Sequence, residues 1–354
     1  MSASGAGVKV LFLLLGSRQV ASSRVRGYWL AEELERRGVR CTLLPASGWL
    51  AYAQAVIAIL SNDCLVLQKR YGRWDLLLVR WANVLGRVTV LDIDDKYSAT
   101  NHPATLKNIA QIMQRVSAVT VGSEELACFA REYSTRVVLL PSAIRLSGYS
   151  EKPRDSESRH VTLGWIGNGA HYAQDLLTIL REPLSGLART RSIRLKIVGA
   201  CGVSELYQGF AGIEGLEVTT VDQIDWTDPT QVNQAMDDFD IGLYPLLDTD
   251  FNRYKCGFKA LEYMAKGIPV VASPVGANPA IISEGRDGWL PDSVEDWRHS
   301  LTGLIDHPEQ RLAMGRAGRD KVERGYSTGE VARQFLELLL PLLQQRVESR
   351  ETGQ

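Results

Sequence analysis

Short apolar runs alternate with stretches of helical periodicity along nearly the whole chain, and this alternation restricts the fold more than any other feature. Val8 to Leu15 is an almost continuous apolar run, suited to a buried strand. It is too short for a spanning helix, and its flanks, Lys9 and Ser17-Arg18-Gln19, are not those of a signal peptide. A Gly/Ser/Arg loop follows. Tyr28 to Arg37 then repeats apolar residues at helical spacing and stops at Gly38, a residue that ends helices readily. The strand-like Arg40 to Leu44 completes a βαβ unit, the building block of parallel sheets.

The rhythm continues with strands at Cys64 to Gln68, Val88 to Leu91, Ala118 to Val121 and Val137 to Leu140. Helices are expected at Trp74 to Leu85, after Pro103, and behind the cap-like Ser123-Glu124-Glu125. Residues 1–150 therefore read as one doubly wound domain. Glu151 to His160 is polar, charged and free of periodicity, and reads as a linker. Beyond it come strands at Val161 to Ile166, Ile193 to Val198, Leu216 to Val221, Asp240 to Tyr244 and Pro269 to Ala272. Helices are expected from about Tyr172, at Thr230 to Met236 and at Gly257 to Lys266. A second Rossmann-like domain over residues 161–325 is the economical reading. Residues 326–354 form a C-terminal helix and tail, with the amphipathic Thr328 to Leu343 expected to cross back to the first domain. Trp49 to Leu60 is an apolar helical stretch expected to pack on the sheet, with contact to a membrane or an acceptor lipid as the alternative.

The bulk numbers exclude several classes of function. At 354 residues, 45% hydrophobic and 23% charged, the chain can bury two ordinary cores. A formal charge of −1 from 40 basic and 41 acidic residues gives no field that gathers nucleic acid. Five scattered cysteines, never in a C-x-x-C pair, suggest buried thiols in a reducing cytoplasm rather than disulfides or zinc.

In open α/β sheets ligands lie beyond the carboxyl ends of the strands. Gly164-Trp165-Ile166-Gly167-Asn168-Gly169 leads from a strand through small residues into a helix, a geometry in which backbone N–H groups reach phosphate. The segment from Asp248 to Ala277 carries more chemistry. Lys259 and Glu262 stand three apart on one helical face, placing a cation and a hydroxyl acceptor side by side, as a diphosphate and a ribose require. Arg253 and Lys255, in the preceding loop, add positive charge.

That segment resembles the donor-binding region of the retaining GT-B glycosyltransferases of family four (glycosyl transferases group 1). The likeness rests on Glu262, Met264-Ala265, Gly267, Pro269-Val270-Val271-Ala272 and Gly276, and extends to Gly38, Ser123-Glu124-Glu125-Leu126, Pro141-Ser142 and Tyr326-Ser327. It implies an α/β fold of two Rossmann-like domains facing across a cleft, and transfer of a sugar from a nucleoside diphosphate sugar. Glu262 matches the family's ribose-holding glutamate, whereas Tyr254 replaces a glutamate that lies near the donor sugar. Asn168-Gly169-Ala170-His171 stands where many relatives carry an Arg/Lys pair, so phosphate charge must come from elsewhere, with Arg253, Lys255 and Lys259 the nearest candidates and the Arg24-Val25-Arg26 segment a further source. Gly257 and Phe258, at the helix start, complete the expected donor set.

The resemblance assigns the first domain to the acceptor side. Ser23, Arg24 and Arg26 follow its first strand, and Asp92, Asp94 and Asp95 follow a buried strand where clustered carboxylates repel one another. Lys259, Arg253, Asp94 and Asp95 are the catalytic candidates. No cofactor or metal is expected beyond the donor substrate, because metal-dependent DxD centres belong to another glycosyltransferase architecture. Expected partners are the nucleotide sugar and a glycan, lipid-linked or small-molecule acceptor, with no nucleic acid; a peripheral contact with the inner face of the membrane stays open. Two other readings remain: a nucleotide-sugar epimerase of the same shape, and a non-catalytic nucleotide-sugar-binding subunit of a glycan assembly complex.

Overall fold

A computed structural model describes residues 7–45, 48–95, 103–151 and 160–351. The expected linker, apart from its two end residues, lies outside them. Two compact units make up the chain: Met1–Ala143 with Tyr254–Cys256 and Tyr326–Gln354, and Ile144–Arg253 with Gly257–Gly325. The first boundary thus falls at Ala143, ahead of the expected change after residue 150. No helix among the described residues is long and apolar enough to cross a membrane.

The first unit holds a parallel sheet of β1 (Lys9–Leu14), β2 (Arg40–Pro45), β3 (Cys64–Gln68), β4 (Val88–Ile93), β5 (Ala118–Val121) and β6 (Val137–Leu139). Its strand order is β2-β1-β3-β4-β5-β6, which reverses between β1 and β3. β3, β4 and β5 are buried throughout, as runs covered by helices on both faces must be, whereas β2 at the edge alternates between partial burial and exposure. On one face, the helix Thr328–Glu351 inserts Val331, Phe335, Leu336 and Leu339 against Phe12, Leu30 and Leu34.

Two differences of detail from the sequence reading matter for function. The helix before Gly38 begins at Ala21 rather than Tyr28, because a π-helical turn, Arg24–Tyr28, carries polar residues that disguise the apolar periodicity. The helix Gly48–Ser61 packs on the sheet as expected through Ala55 and Ile59, but it leaves Trp49, Leu50, Val56, Ile57 and Leu60 exposed.

The second unit repeats the plan with β7 (Val161–Ile166), β8 (Ile193–Val198), β9 (Leu216–Val221), β10 (Ile241–Tyr244), β11 (Val270–Ala272) and β12 (Gly288–Trp289). The order β12-β11-β10-β7-β8-β9 reverses between β7 and β10. At such a reversal the connecting segments leave in opposite directions and open a crevice at the strands' carboxyl ends. Helices Ser204–Ala211, Val294–Asp306 and Pro308–Gly325 were not apparent in the sequence.

Candidate functional site

Of the donor residues expected from sequence, Gly167, Asn168, Gly169, Gly257, Phe258, Lys259 and Glu262 lie on the segments that follow β7 and β10, at the reversal in the second sheet. Gly257 caps the helix Phe258–Ala265 with a left-handed φ of 67°, and a Cβ there would stand 2.2 Å from Ile281 Cδ1, so both backbone and packing require glycine. Among the described residues the backbone N–H groups of Phe258, Lys259 and Ala260 have no acceptor. Free N–H groups at the positive end of a helix favour an anion.

Lys259 projects from this first turn into an aromatic cage. Its Nζ lies 3.9 Å from the centre of the Tyr172 ring, 5.1 Å from Tyr244 and 5.6 Å from Trp165. Trp165 ends near the carboxyl end of β7 and Tyr244 closes β10, so the cage straddles the strand reversal. Ring faces attract the ammonium without neutralising it. No carboxylate pairs with Lys259 among the described residues. One turn later Glu262 is buried, and its Oε1 accepts a hydrogen bond of 2.8 Å from the Tyr149 hydroxyl. Arg319 holds the Tyr149 and Ala265 carbonyls, fixing the tyrosine against the helix end.

The loop Gly167-Asn168-Gly169 is built differently from the expectation of an open backbone cradle. Gly167 N–H donates to Val198 O, Gly169 N–H to Gly199 O, and Ala170 N–H to the Asn168 side chain that caps the helix Gly169–Ala188. Its glycines serve close approach instead: a Cβ on Gly167 would meet Lys259 Cε at 2.4 Å, and one on Gly169 would meet Ala200 O at 2.7 Å. The glycine at 167 is therefore what lets Lys259 lie over the loop.

Arg253 is exposed and held by both Asp248 oxygens at 2.5 and 2.8 Å. Tyr254 and Lys255 belong to the first unit, where Tyr254 packs on the core and Lys255 Nζ lies 3.2 Å from Asp95 Oδ1. Tyr149, Tyr172, Tyr244 and Asn278 escaped the sequence reading. Asn278 is fully buried, its Oδ1 lacks a partner, and a Cβ on Gly257 would stand 3.3 Å from that oxygen. The aromatic residues lie far apart in sequence, and only the fold makes them neighbours.

In the first unit the acceptor-side candidates are buried and bound to protein groups. Arg26 grips Asp92 through two bonds of 2.8 and 2.6 Å and donates a third, of 3.0 Å, to Leu140 O. Thr120 donates to Asp92 Oδ1 at 2.7 Å. Burial works against the charge on Arg26, but Asp92 outweighs it and the guanidinium stays protonated. Ser23 Oγ donates to Gln68 Oε1 at 3.0 Å, and Arg24 holds the Arg18 carbonyl at 2.8 Å. These residues therefore brace the loop after β1 rather than offer their polar groups outward.

Lys69, at the carboxyl end of β3, has a left-handed φ of 54° and lies 3.2 Å from Asp94 and 3.0 Å from Asp95. Burial raises the Asp94 carboxyl, against the pull of Lys69. Burial would raise Asp95 too, but Lys69 and Lys255 outweigh it and hold that carboxyl below its usual range. Cys256 donates its thiol to Asp94 O at 2.9 Å. Among the described residues no three His, Cys, Asp or Glu side chains are grouped to hold a metal.

Residues 160–307 match the model of the glycosyl transferases group 1 family. A D-inositol 3-phosphate glycosyltransferase of Segniliparus rotundus is 42% identical over 146 residues, which is 40% of this chain and 31% of that protein. The chain covers well under two thirds of the length of such relatives. A glycosyltransferase structure from Rickettsia africae superposes with a TM-score of 0.71 at 13% identity, over 95% of this chain and 99% of its own. An Anabaena protein in complex with UDP gives 0.69 at 15% identity, over 94% and 100%. At these identities the structures share the fold.

Proposed function

We propose that this chain, whose residues 160–307 form a glycosyl transferases group 1 domain on a GT-B fold, transfers a sugar from a nucleoside diphosphate sugar held by its second unit. The observation that carries the proposal is the helix Phe258–Ala265, which combines three free N–H groups, the unpaired Lys259 ammonium and, one turn on, the Glu262 carboxylate. Fold alone does not choose a reaction, whereas this set matches a diphosphate beside a ribose. The Anabaena relative of the same fold binds UDP, in keeping with that ligand class.

In the proposed reaction the acceptor hydroxyl oxygen bonds to the anomeric carbon while the bond from that carbon to the β-phosphate oxygen breaks. The nucleoside diphosphate leaves with the electron pair, and a donor phosphate oxygen takes the acceptor proton. Attack from the leaving-group face retains the anomeric configuration. Negative charge grows on the diphosphate toward the transition state, so Lys259 and the helix N–H groups act where they lower the barrier most. Glu262 accepts from the ribose hydroxyls and sets the register of the nucleotide.

Calorimetric titration with UDP-, GDP-, ADP-, TDP- and CMP-sugars tests donor binding, and product analysis separates glycosylated acceptor from epimerised free sugar or binding without turnover. Glu262→Gln should weaken the best donor about 10- to 100-fold, the worth of one charge-assisted hydrogen bond. The 2′-deoxy form of that donor should lose affinity for the native protein and little more for the variant, as coupled partners do. Unchanged donor affinity in Glu262→Gln would sink the assignment.

A further inference from the structure

The helices Gly48–Ser61 and Arg73–Val84 of the first unit pack against each other and meet where the Tyr52 and Trp74 rings lie 6.3 Å apart. Each turns large apolar side chains to solvent. On the first helix Trp49 is 80% exposed and Ile57 67%, with Leu50 and Leu60 beside them; on the second, Trp74 is 51% exposed and Val84 80%. Scattered exposed apolar residues are ordinary, but this many on two helices that pack together make an exposed apolar face of the kind that marks an interaction surface.

The charges around the patch select its partner. Gly48–Ser61 has no charged residue at all. The one acid on Arg73–Val84, Asp75, is buried under Arg70 and Tyr52. Arg73 lies over the Trp74 ring and Arg80 is exposed; neither meets a carboxylate among the described residues. Tryptophans, aliphatic side chains and unpaired arginines without acids are the composition of a face that lies in the headgroup boundary of a bilayer. A protein partner of ordinary surface would meet few polar groups here to satisfy its own. We propose that this two-helix face seats the protein on a bilayer containing anionic phospholipid, with the tryptophans and Ile57 in the acyl boundary and Arg73 and Arg80 on lipid phosphates. The proposal stands apart from the donor chemistry, since none of these residues belongs to the second unit.

Sedimentation of the full chain with vesicles of phosphatidylcholine alone, or of phosphatidylcholine with phosphatidylglycerol, reads this directly. The native chain should bind the anionic vesicles roughly tenfold or more tightly than the neutral ones, and added salt should narrow that gap. Trp49→Ser with Ile57→Ser should cut binding to both by about tenfold or more. Arg73→Gln with Arg80→Gln should cut binding to anionic vesicles by about tenfold and leave the weak binding to neutral ones unchanged. Circular dichroism and an unfolding midpoint close to that of the native chain confirm that each variant is folded. Equal binding to both vesicles, or none to either, overturns the proposal. So does a reversible dimer that Trp49→Ser with Ile57→Ser breaks in the absence of vesicle binding, because the face then serves a second copy.

Discussion

Both units bring lysine and arginine to the carboxyl ends of their strands, but they treat the charge in opposite ways. In the first unit Arg26 is locked to Asp92, Lys69 to Asp94 and Asp95, and Lys255 to Asp95. In the second, Lys259 has ring faces instead of a carboxylate, while Lys266, just beyond the same helix, is fully buried against Asp237 and Asn233. A cation whose charge is already matched holds structure together. A cation left unmatched in a crevice keeps its charge open to an anion from outside.

If that distinction is sound, the largest effect on stability comes from a matched pair. Arg26→Ala leaves the Asp92 carboxylate buried with Thr120 as its remaining side-chain donor, and should destabilise the first unit by about 3–5 kcal/mol in denaturant titration. Adding Asp92→Asn should restore a good part of the loss, since the uncompensated charge goes with it. Arg26→Ala with native stability and lost turnover would reverse the comparison, making Arg26 a ligand-binding group.

The unmatched cation should show the opposite signature. Lys259→Ala should lower kcat about 100- to 1,000-fold, the scale seen when one donor to a developing anion is lost, and raise KM less. Its unfolding midpoint should stay within about 1 kcal/mol of native. Lys259→Arg should recover only part of the rate, because a longer, planar fork does not place its charge where a compact ammonium does. Full turnover in Lys259→Ala would place the phosphate charge elsewhere and leave the cage as packing.

This contrast was only half legible in the sequence. Strand and helix order could be read because apolar periodicity is a local property, and the spacing of Lys259 and Glu262 follows from the helical repeat. Availability of charge is not local. Nothing around Arg26 in the chain reveals that Asp92 and the Leu140 carbonyl absorb its donors, and nothing around Lys259 reveals Trp165, Tyr172 and Tyr244. The loop at Gly167 shows a related limit: glycine after a strand fits a phosphate cradle and a tight crossing equally well, and only the fold brings in the contacts with Val198, Gly199 and Lys259. The helix Gly48–Ser61 was found by its apolar content, but an evenly apolar helix does not say which face is covered.

The smallest effect, and the finest test of matched charge, separates the two neighbouring carboxyls around Lys69. Asp95 is held below its usual range, so its ionised form stabilises the fold; that contribution is present above the ordinary value near about 3.9 and fades as pH falls through the lowered one. Asp94 is raised by burial, so its contribution is favourable while it is protonated and is lost as pH rises past the ordinary value. Asp95→Asn should therefore cost about 1 kcal/mol near neutral pH, with the loss shrinking in acid as the native carboxyl also becomes neutral. Asp94→Asn should be neutral or stabilising near neutral pH, because it removes a buried charge that Lys69 only partly offsets. Unfolding midpoints of the two variants, compared at about pH 7 and about pH 4, check the sign of each. Equal, pH-independent losses in both would mean that Lys69 serves the two carboxyls alike. Its charge would then be shared between them rather than matched mainly to Asp95.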